Sequence, residues 1–195
     1  MFFQPHLVYV NKVRDKMEKI IIDADRFLRT ISRISHEIIE KHQDFDNVIL
    51  VGVKRRGAEI AELIQRRIEE LNGVSLPMME LDITFYRDDL EYVEPENPTP
   101  VYSGASSYMN IQGKEVILID DVLFTGRTIR AAMDALTDFG RAAKIELVIL
   151  VDRGHRELPI RADYVGKNVP TSRDEQVQVR TLKFDGCYEV VLLPK

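Results

Sequence analysis

Two adjacent carboxylates, Asp120 and Asp121, carry the clearest chemistry in this chain. They follow an apolar run of β-forming residues at 116–119 and precede a Thr- and Gly-rich turn at 125–128. Such a run predicts a buried parallel strand, and open α/β sheets bind ligands at the carboxyl ends of their strands. The turn offers backbone N–H groups and two hydroxyls at the start of a helix, which suits a phosphate. Carboxylates can bind the hydroxyls of a ribose, and the loop amides beside them can bind its 5′-phosphate. The motif therefore predicts a sugar-phosphate site.

A second candidate phosphate site is the segment 52–57, Gly-Val-Lys-Arg-Arg-Gly, at the end of another apolar run. Its glycines permit a close backbone approach, and its three cations match a pyrophosphate. A solvent-exposed basic turn is the alternative when this segment is considered alone. Beside the first motif, we predict that this segment binds pyrophosphate.

Alternating strand and helix patterns predict the elements that position these groups. Apolar runs indicate strands at 19–22, 48–53, 81–86, 116–119 and 145–151, and short strands and turns follow from residue 162. Apolar residues at helical spacing indicate a helix that begins after Asp23 or Asp25 and another over 58–71. This alternation predicts an α/β fold with a mainly parallel sheet flanked by helices.

The predicted domain organisation is one domain over residues 19–195, preceded by an N-terminal extension at 1–18, because 195 residues fit a single core. Residues 87–113 contain three prolines and a dense acidic stretch, which predicts a flexible excursion from the domain. Arg87 is the sole base in the acidic run 86–89 at the start of this excursion. Arg87 could form a local ion pair, or it could lie on a lid that closes over pyrophosphate and excludes water. We predict the role on the lid.

Composition narrows the classes of protein to consider. The 27 basic and 32 acidic residues give a net charge of −5, so no overall basic charge indicates nucleic acid, although a local basic face remains compatible with it. The single cysteine, Cys187, excludes an internal disulfide and fits a reducing cytosol. No apolar run approaches the ~18 residues of a membrane span, and the first residues lack the apolar centre of a signal peptide. We therefore expect a cytoplasmic protein without membrane contact.

The string at 116–128, Val-Ile-Leu-Ile-Asp-Asp-Val-Leu-Phe-Thr-Gly-Arg-Thr, resembles the motif with which type I phosphoribosyltransferases bind 5-phosphoribosyl-1-pyrophosphate (PRPP). An Asp-Asp pair after a strand is weak evidence alone, but the complete strand–acid–acid–loop–helix unit is far more specific. The resemblance implies the type I phosphoribosyltransferase fold, with a flexible hood or lid over the site. It also implies a pyrophosphate loop at the topological position of residues 52–57.

The chain also resembles the PyrR family of pyrimidine-operon attenuation regulators with uracil phosphoribosyltransferase activity. Five segments carry this resemblance: 34–40, 52–57, 82–90, 116–128 and 151–168. The resemblance implies synthesis of UMP and pyrophosphate from uracil and PRPP, with Mg²⁺ carried mainly by pyrophosphate rather than by protein ligands. It assigns catalysis to Asp120, Asp121 and Arg87, and uracil binding to Arg153 and Val177. The implied PRPP and nucleotide contacts are Arg55, Arg56, Arg87, Asp120, Asp121, Val122, Leu123, Phe124, Thr125, Gly126, Arg127 and Thr128.

A second predicted function is RNA binding. Arg26, Arg29, Arg33 and His36 lie three or four residues apart and share one helix face, for which a solvent-exposed, ion-paired surface is the alternative. The resemblance implies that UMP or UTP strengthens binding of an mRNA leader, and that the RNA surface lies on a homodimer or a higher homo-oligomer. The residues that it assigns to this surface are Ser32, Arg33, His36, Lys41, Arg156, Arg161 and Lys167.

Two alternatives to this function stay open. One is a purine phosphoribosyltransferase acting on hypoxanthine or guanine, and the other is an RNA-binding regulator with vestigial catalysis. Purine-using relatives commonly carry an Asp three residues after the second acid, where this chain has Phe124, which favours a pyrimidine. We expect a surface or RNA-facing role for His155 rather than a catalytic one, because its neighbours Arg153 and Arg156 disfavour protonation.

Overall fold

The computed structural model describes residues 18–86 and 110–194. In chain order the elements are β1 (Lys19–Ile22), α1 (Ala24–Lys41), β2 (Val48–Val53), α2 (Arg56–Asn72), β3 (Met78–Leu81), a 3-10 turn (Thr84–Tyr86), β4 (Glu115–Leu123), α3 (Arg127–Leu136), a 3-10 turn (Thr137–Phe139), β5 (Lys144–Asp152), β6 (Tyr164–Asn168), β7 (Glu175–Arg180), α4 (Leu182–Asp185) and β8 (Glu189–Pro194). Strands and α-helices alternate from β1 to β3 and again from β4 to β5, as the sequence pattern predicts.

Two sheets organise these elements. A five-stranded sheet in the order β3-β2-β4-β5-β6 is parallel throughout, and a smaller antiparallel sheet has the order β1-β8-β7. The predicted α/β fold with a mainly parallel sheet is therefore confirmed. In the large sheet Gly52 pairs with Ile119, so the end of β2 lies beside the acid pair of β4.

Both faces of the parallel sheet are covered. Successive residues of a strand point to opposite faces, and β4 therefore contributes Ile117 and Ile119 to one apolar cluster and Val116 and Leu118 to the other. Helices α1 and α2 pack on the first face, and α3 packs on the second. This two-sided burial is the reason that the strands read as continuous apolar runs.

Helix α1 begins where its sequence predicts. The Asp23 carboxylate accepts a hydrogen bond from the Arg26 backbone N–H at 2.8 Å, so Asp23 is the N-cap. The predicted core-facing residues are buried: Phe27, Ile31, Ile34 and Ile38. The opposite, charged face of α1 is left exposed.

The strand predicted at 81–86 differs from the structure, in which β3 ends at Leu81. The Asp82 carboxylate accepts hydrogen bonds from the backbone N–H (3.1 Å) and the hydroxyl (2.7 Å) of Thr84, which turns the chain into a 3-10 helix. At the end of the predicted excursion, residues 110–113 form a packed turn in which Ile111 is buried.

Some predictions lie outside the described residues. These are Arg87, most of the N-terminal extension and residues 87–109 of the excursion. None of the helices within 18–86 and 110–194 is long and apolar enough to cross a membrane.

Candidate active site

The acid pair and the predicted pyrophosphate loop face one cavity at the carboxyl ends of β2 and β4. The cavity has a volume of about 630 Å³. Its lining residues are Val53, Lys54, Arg55, Arg56, Asp82, Ile83, Thr84, Asp120, Asp121, Val122 and Thr128. Two segments that are distant in sequence are thus joined into one polar site.

A close helix–strand contact brings the two segments together. Gly57, in the first turn of α2, lies so near β4 that a Cβ there would be 2.6 Å from the Ile119 carbonyl oxygen and 3.1 Å from the Asp120 Cα. Only glycine allows this approach without movement of the backbone. The start of α2 is therefore pressed directly against the acid pair.

The two acids are fixed by the backbone that carries them. Asp120 is 5% exposed, and its carboxylate accepts a hydrogen bond from the Asp121 N–H at 2.9 Å. The Asp121 carboxylate accepts one from the Val122 N–H at 2.8 Å. Burial raises the pKa of Asp121, although the Val122 N–H and the charge of Arg56 act in the opposite direction. Strand β4 continues through Leu123, so the two acids lie inside the carboxyl-terminal part of the strand rather than after its end.

The pyrophosphate loop is held from outside the cavity by α4. The Arg55 guanidinium carbon lies 5.8 Å from the centre of the Phe184 ring. Arg56 donates two hydrogen bonds to Asp185, from Nε at 3.2 Å and from Nη2 at 2.9 Å. Although burial opposes it, the hydrogen bonds from Arg56 and from the Thr181 backbone hold the pKa of Asp185 below its usual value. Sequence reasoning missed Asp185, because nothing local relates it to Arg56.

The predicted 5′-phosphate loop ends in a left-handed glycine at the N-terminus of α3. Gly126 has φ of 95°, and α3 begins at the next residue. The carbonyl of Thr125 accepts hydrogen bonds from the backbone N–H groups of Glu157 (3.0 Å) and Leu158 (3.1 Å). The 5′-phosphate loop is therefore fixed by the segment that follows β5. The backbone amides of the loop lie at the N-terminus of α3, which is the positive end of the helix dipole.

Arg153, one of the two residues predicted near uracil, stacks on Phe124 beside this loop. The Arg153 guanidinium lies 4.2 Å from the centre of the Phe124 ring, and the His155 ring meets Phe124 edge-on at 5.9 Å. Arg153 is buried and donates hydrogen bonds to the Thr171 hydroxyl and to two carbonyls of the 171–175 loop. His155 bonds the Thr171 carbonyl through Nε2 at 2.5 Å, so it faces this loop.

Val177, the other residue predicted near uracil, lies in the strand that follows. It is in β7, where it pairs with Leu192 of β8 and has a buried side chain. The bonds from Arg153 to the 171–175 loop anchor the chain just before β7. Arg153 thus supports the same strand that carries Val177.

The predicted RNA surface is partly assembled by contacts between α1 and β6. Arg33 donates from Nη2 to the carbonyls of Val165 (3.0 Å) and Gly166 (2.7 Å). The Lys167 ammonium lies 3.3 Å from the Ile21 carbonyl oxygen. A depression of about 290 Å³ opens here, lined by Ile22, Arg26, Arg29, Thr30, Arg33, Gly166 and Lys167. Four cations therefore surround one shallow site.

The other residues predicted for RNA binding are spread more widely. Ser32 accepts a hydrogen bond from Arg67 of α2 at 3.1 Å, and His36 Nδ1 lies 2.7 Å from the Ser32 carbonyl oxygen. Arg161 is exposed. Arg156 forms an ion pair with Asp152.

The Arg156 guanidinium is also bonded to the 5′-phosphate loop. It donates from Nη1 to the Phe124 carbonyl at 2.8 Å and from Nε to the Ile160 carbonyl at 3.0 Å. A residue predicted to contact RNA is therefore in direct contact with the backbone of the predicted nucleotide site.

Lys41 lies at the far end of α1, in a cluster around the buried carboxylate of Glu146. The Lys41 and Lys144 ammonium groups each lie 2.6 Å from Oε1 of Glu146. His42 Nε2 (2.7 Å) and the Tyr164 hydroxyl (3.1 Å) contact Oε2. Although burial opposes it, these partners hold the pKa of Glu146 at about 2. This cluster lies at the opposite end of β5 from the active-site cavity.

A parallel α/β sheet with an acid pair, a basic loop and a helix N-terminus at its strand ends is the arrangement expected of a phosphoribosyltransferase. In agreement, residues 18–185 match the family model described as phosphoribosyl transferase domain. The chain is 81% identical over 179 residues to the bifunctional protein PyrR of Haemophilus influenzae strain PittEE, covering 92% of this chain and all of that protein. It is 77% identical to the bifunctional protein PyrR of Pasteurella multocida, over 91% of this chain and 98% of the relative. The chain belongs to the PyrR family of phosphoribosyltransferases.

Solved structures support the same fold. A hypoxanthine phosphoribosyltransferase from Staphylococcus aureus superposes with a TM-score of 0.66 at 19% identity, covering 94% of this chain and 96% of that one. The Trypanosoma cruzi hypoxanthine phosphoribosyltransferase in complex with its product IMP gives 0.65 at 20% identity, covering 91% of each chain. At these identities the likeness concerns the fold alone.

Proposed function

We propose that the protein transfers the phosphoribosyl group of PRPP to uracil, giving UMP and pyrophosphate. The observation that carries this proposal is the single cavity shared by the acid pair and the basic loop. Asp120 and Asp121 accept hydrogen bonds from the ribose hydroxyls, and the N-terminus of α3 binds the 5′-phosphate. Arg55 and Arg56 bind the pyrophosphate that leaves.

The chemistry needs positioning and charge stabilisation rather than a covalent intermediate. The bond between the anomeric carbon and pyrophosphate breaks as the bond to uracil N1 forms, and the anomeric carbon becomes electron-deficient between them. The N1 proton is released to solvent or to the departing pyrophosphate. Carboxylates on the ribose side and guanidinium groups on the pyrophosphate side stabilise the opposite charges that develop. In this proposal Arg87 lies on a lid and adds a third guanidinium to the pyrophosphate site. The closed lid excludes water that would hydrolyse PRPP.

Mg²⁺ is the proposed cofactor, carried mainly by the pyrophosphate oxygens. Within residues 18–86 and 110–194 no three His, Cys, Asp or Glu side chains converge on a metal site. The cavity does contain the carboxylate oxygens of Asp82, Asp120 and Asp121, and Mg²⁺ in phosphate-transfer sites commonly uses one or two carboxylates with substrate oxygens. The donor set therefore fits Mg²⁺ bound together with PRPP, where the ion neutralises charge on the leaving group.

Uracil is the base that the chain favours. The uracil site in the proposal lies beside Phe124, Arg153 and β7, where Val177 contributes a backbone contact. The solved hypoxanthine enzymes are too distant in sequence to argue for a purine, whereas the relatives named PyrR are 71–81% identical.

RNA-dependent regulation of pyrimidine genes is the second proposed function. The observation that favours it is the four-cation depression between α1 and the end of β6, which suits RNA phosphates despite the net charge of −5. In this proposal UMP or UTP in the cavity strengthens the binding of an mRNA leader. The assembly is at least a homodimer, which continues the basic surface across a two-fold axis.

A steady-state assay with PRPP and Mg²⁺ tests the enzymatic proposal, with uracil, hypoxanthine, guanine and orotate as separate acceptors. We expect UMP from uracil and no nucleotide from the other bases. A preference for hypoxanthine or guanine would overturn the base assignment. Folded protein that binds UMP but makes no nucleotide would instead identify a regulator with vestigial catalysis.

A further inference from the structure

Helix α4 contacts the outer side of the pyrophosphate loop and the first turn of α2 through three consecutive residues. Lys183 donates its backbone N–H to the Glu59 carboxylate of α2 at 3.1 Å. Phe184 lies under the Arg55 guanidinium, and Asp185 receives both hydrogen bonds from Arg56. One short helix therefore contacts both arginines that are proposed to bind pyrophosphate.

The Asp185 carboxylate is itself well fixed. Its Oδ2 accepts a hydrogen bond from the Thr181 N–H at 2.9 Å, which ties the carboxylate to the first residue before α4. The Asp185 side chain is 16% exposed and that of Arg56 is 29% exposed, so the pair is largely shielded from solvent. A two-point guanidinium–carboxylate contact fixes direction as well as distance, unlike a single exposed ion pair.

The contact leaves part of the Arg56 guanidinium available. Nε and Nη2 bond to Asp185, and no acceptor among residues 18–86 and 110–194 bonds to Nη1. Arg56 lines the cavity, and its charge reaches Asp121 on the ribose side. One edge of the guanidinium is therefore held by Asp185 in a residue that also lines the ligand cavity.

We propose that Asp185 is a positioning residue for phosphoribosyl transfer, which holds the Arg56 guanidinium in place to bind pyrophosphate. The inference rests on the proposed function of the cavity. Without the carboxylate, Arg56 is free to turn towards Asp121 and to occupy the acceptors that the ribose hydroxyls need. A guanidinium fixed before binding loses less conformational entropy when the ligand arrives. Asp185 acts through Arg56 and does not touch the reacting atoms.

The test compares Asp185→Asn with Lys183→Ala in the same short helix. Asparagine keeps the side-chain volume but removes the charge, and we expect the KM for PRPP and the dissociation constant of pyrophosphate to rise about tenfold, with a smaller change in kcat. Asp185→Glu keeps the carboxylate and should recover most of this loss. Lys183→Ala removes an ion pair with Glu62 but keeps the backbone bond to Glu59, so its PRPP kinetics should match the parent protein.

A double-mutant cycle separates positioning from simple packing. If Asp185 acts through Arg56, Asp185→Asn should have little further effect on pyrophosphate binding in an Arg56→Gln background. Parent-like KM and pyrophosphate affinity in folded Asp185→Asn would overturn the proposal, as would equal losses in Asp185→Asn and Lys183→Ala. Pyrophosphate binding is measured by calorimetry without uracil, so this result is independent of whether the parent protein makes UMP.

Discussion

At the scale of single residues, the two acids of β4 share a position but differ in environment. Asp120 is buried against the start of α2, where Gly57 leaves space for close contact. Burial raises the pKa of the Asp121 carboxyl, against the Val122 N–H and the charge of Arg56, which act to lower it. Hydrogen-bond donors such as ribose hydroxyls suit both groups, because a carboxylate only accepts.

Replacing both acids tests their proposed role in ribose binding. Asp120→Asn with Asp121→Asn should lower kcat/KM for UMP synthesis by at least about 100-fold, because preorganised charge at the developing cation is lost. The melting temperature should stay close to that of the parent, since the volumes are retained. Asp134→Asn on the exposed face of α3 is the control and should retain parent activity. Substantial turnover by the double variant would contradict the assignment.

At the scale of elements, the C-terminal end of α1 is attached to the sheet by charge. Glu146 of β5 is 1% exposed and contacts Lys41, Lys144, His42 and Tyr164. A buried carboxylate is tolerated only when its partners compensate for lost hydration. The cluster therefore fixes α1, the helix that carries much of the predicted RNA surface, to the strand next to it.

The Glu146 cluster should make stability depend on pH. The pKa of Glu146 in the folded protein, about 2, lies below its ordinary value of 4.5. A carboxyl with a lowered folded-state pKa stabilises above its unfolded pKa and loses that contribution as the pH falls. We expect the parent protein to lose about 3 kcal/mol of unfolding free energy from this group between pH 4.5 and 2.

Glu146→Gln tests this cluster by chemical denaturation across pH. At neutral pH the variant should lose about 3 kcal/mol of unfolding free energy, because the buried His42 ring and Tyr164 hydroxyl and the two half-exposed lysines lose a buried carboxylate partner. Its stability should also fall less steeply below pH 4.5. Glu115→Gln, which removes a 41% exposed carboxylate 3.3 Å from His42, is the matched control and should cost less than about 1 kcal/mol. Equal effects of the two variants would contradict the role of burial.

The proposed RNA surface needs a test variant that leaves the fold intact. Arg33 and Arg156 bond backbone carbonyls, so their removal disturbs structure as well as charge. Arg161 is exposed, and Arg161→Ala should weaken leader-RNA binding and lower the slope of log affinity against log salt by about 1. Uracil transfer should be unchanged, and Arg66→Ala, on the exposed side of α2, should leave RNA binding unaltered. A parent-like slope for Arg161→Ala would remove it from the proposed surface.

At the scale of the whole molecule, the nucleotide cavity and the basic depression are linked through the segment after β5. Arg156 and the N–H groups of Glu157 and Leu158 bond the loop at Phe124 and Thr125. Arg156 also pairs with Asp152, whose β6 neighbour is Asn168, next to Lys167 of the depression. The segment after β5 therefore contacts both the predicted 5′-phosphate loop and the strand end beside the proposed RNA surface.

This connection predicts reciprocal coupling between UMP and RNA. Saturating UMP should raise the affinity for leader RNA by between about 5-fold and 150-fold, and bound RNA should raise the affinity for UMP by the same factor. Filter binding with and without UMP measures the first factor, and UMP titration of the RNA complex measures the second. RNA affinity that does not respond to UMP or UTP would argue against nucleotide-dependent regulation.

The sequence by itself determined the order of elements, the parallel sheet and the family. The buried strands are continuous apolar runs, and α1 has apolar residues at helical spacing with Asp23 at its start. These elements could be predicted because both signals arise within a few neighbouring residues. The acid pair and the basic loop were both predicted from their positions at strand ends, since parallel strands present those ends at one edge. The strand predicted at 81–86 was wrong, because the side chain of Asp82 turns the backbone at a point where apolar alternation continues.

Only the tertiary structure decided which side chains meet across these elements. Asp185 reaches Arg56 over 129 residues, and Glu146 reaches His42 over 104, and no spacing in the sequence relates either pair. The sequence identified Arg153 and Arg156 as candidate binding residues, but it could not predict their hydrogen bonds to backbone carbonyls. Those bonds depend on how the loops after β5 and before β7 pack together. Hydrophobic pattern is a local property, whereas the partner of a buried charge is chosen by the packing that excludes water from it.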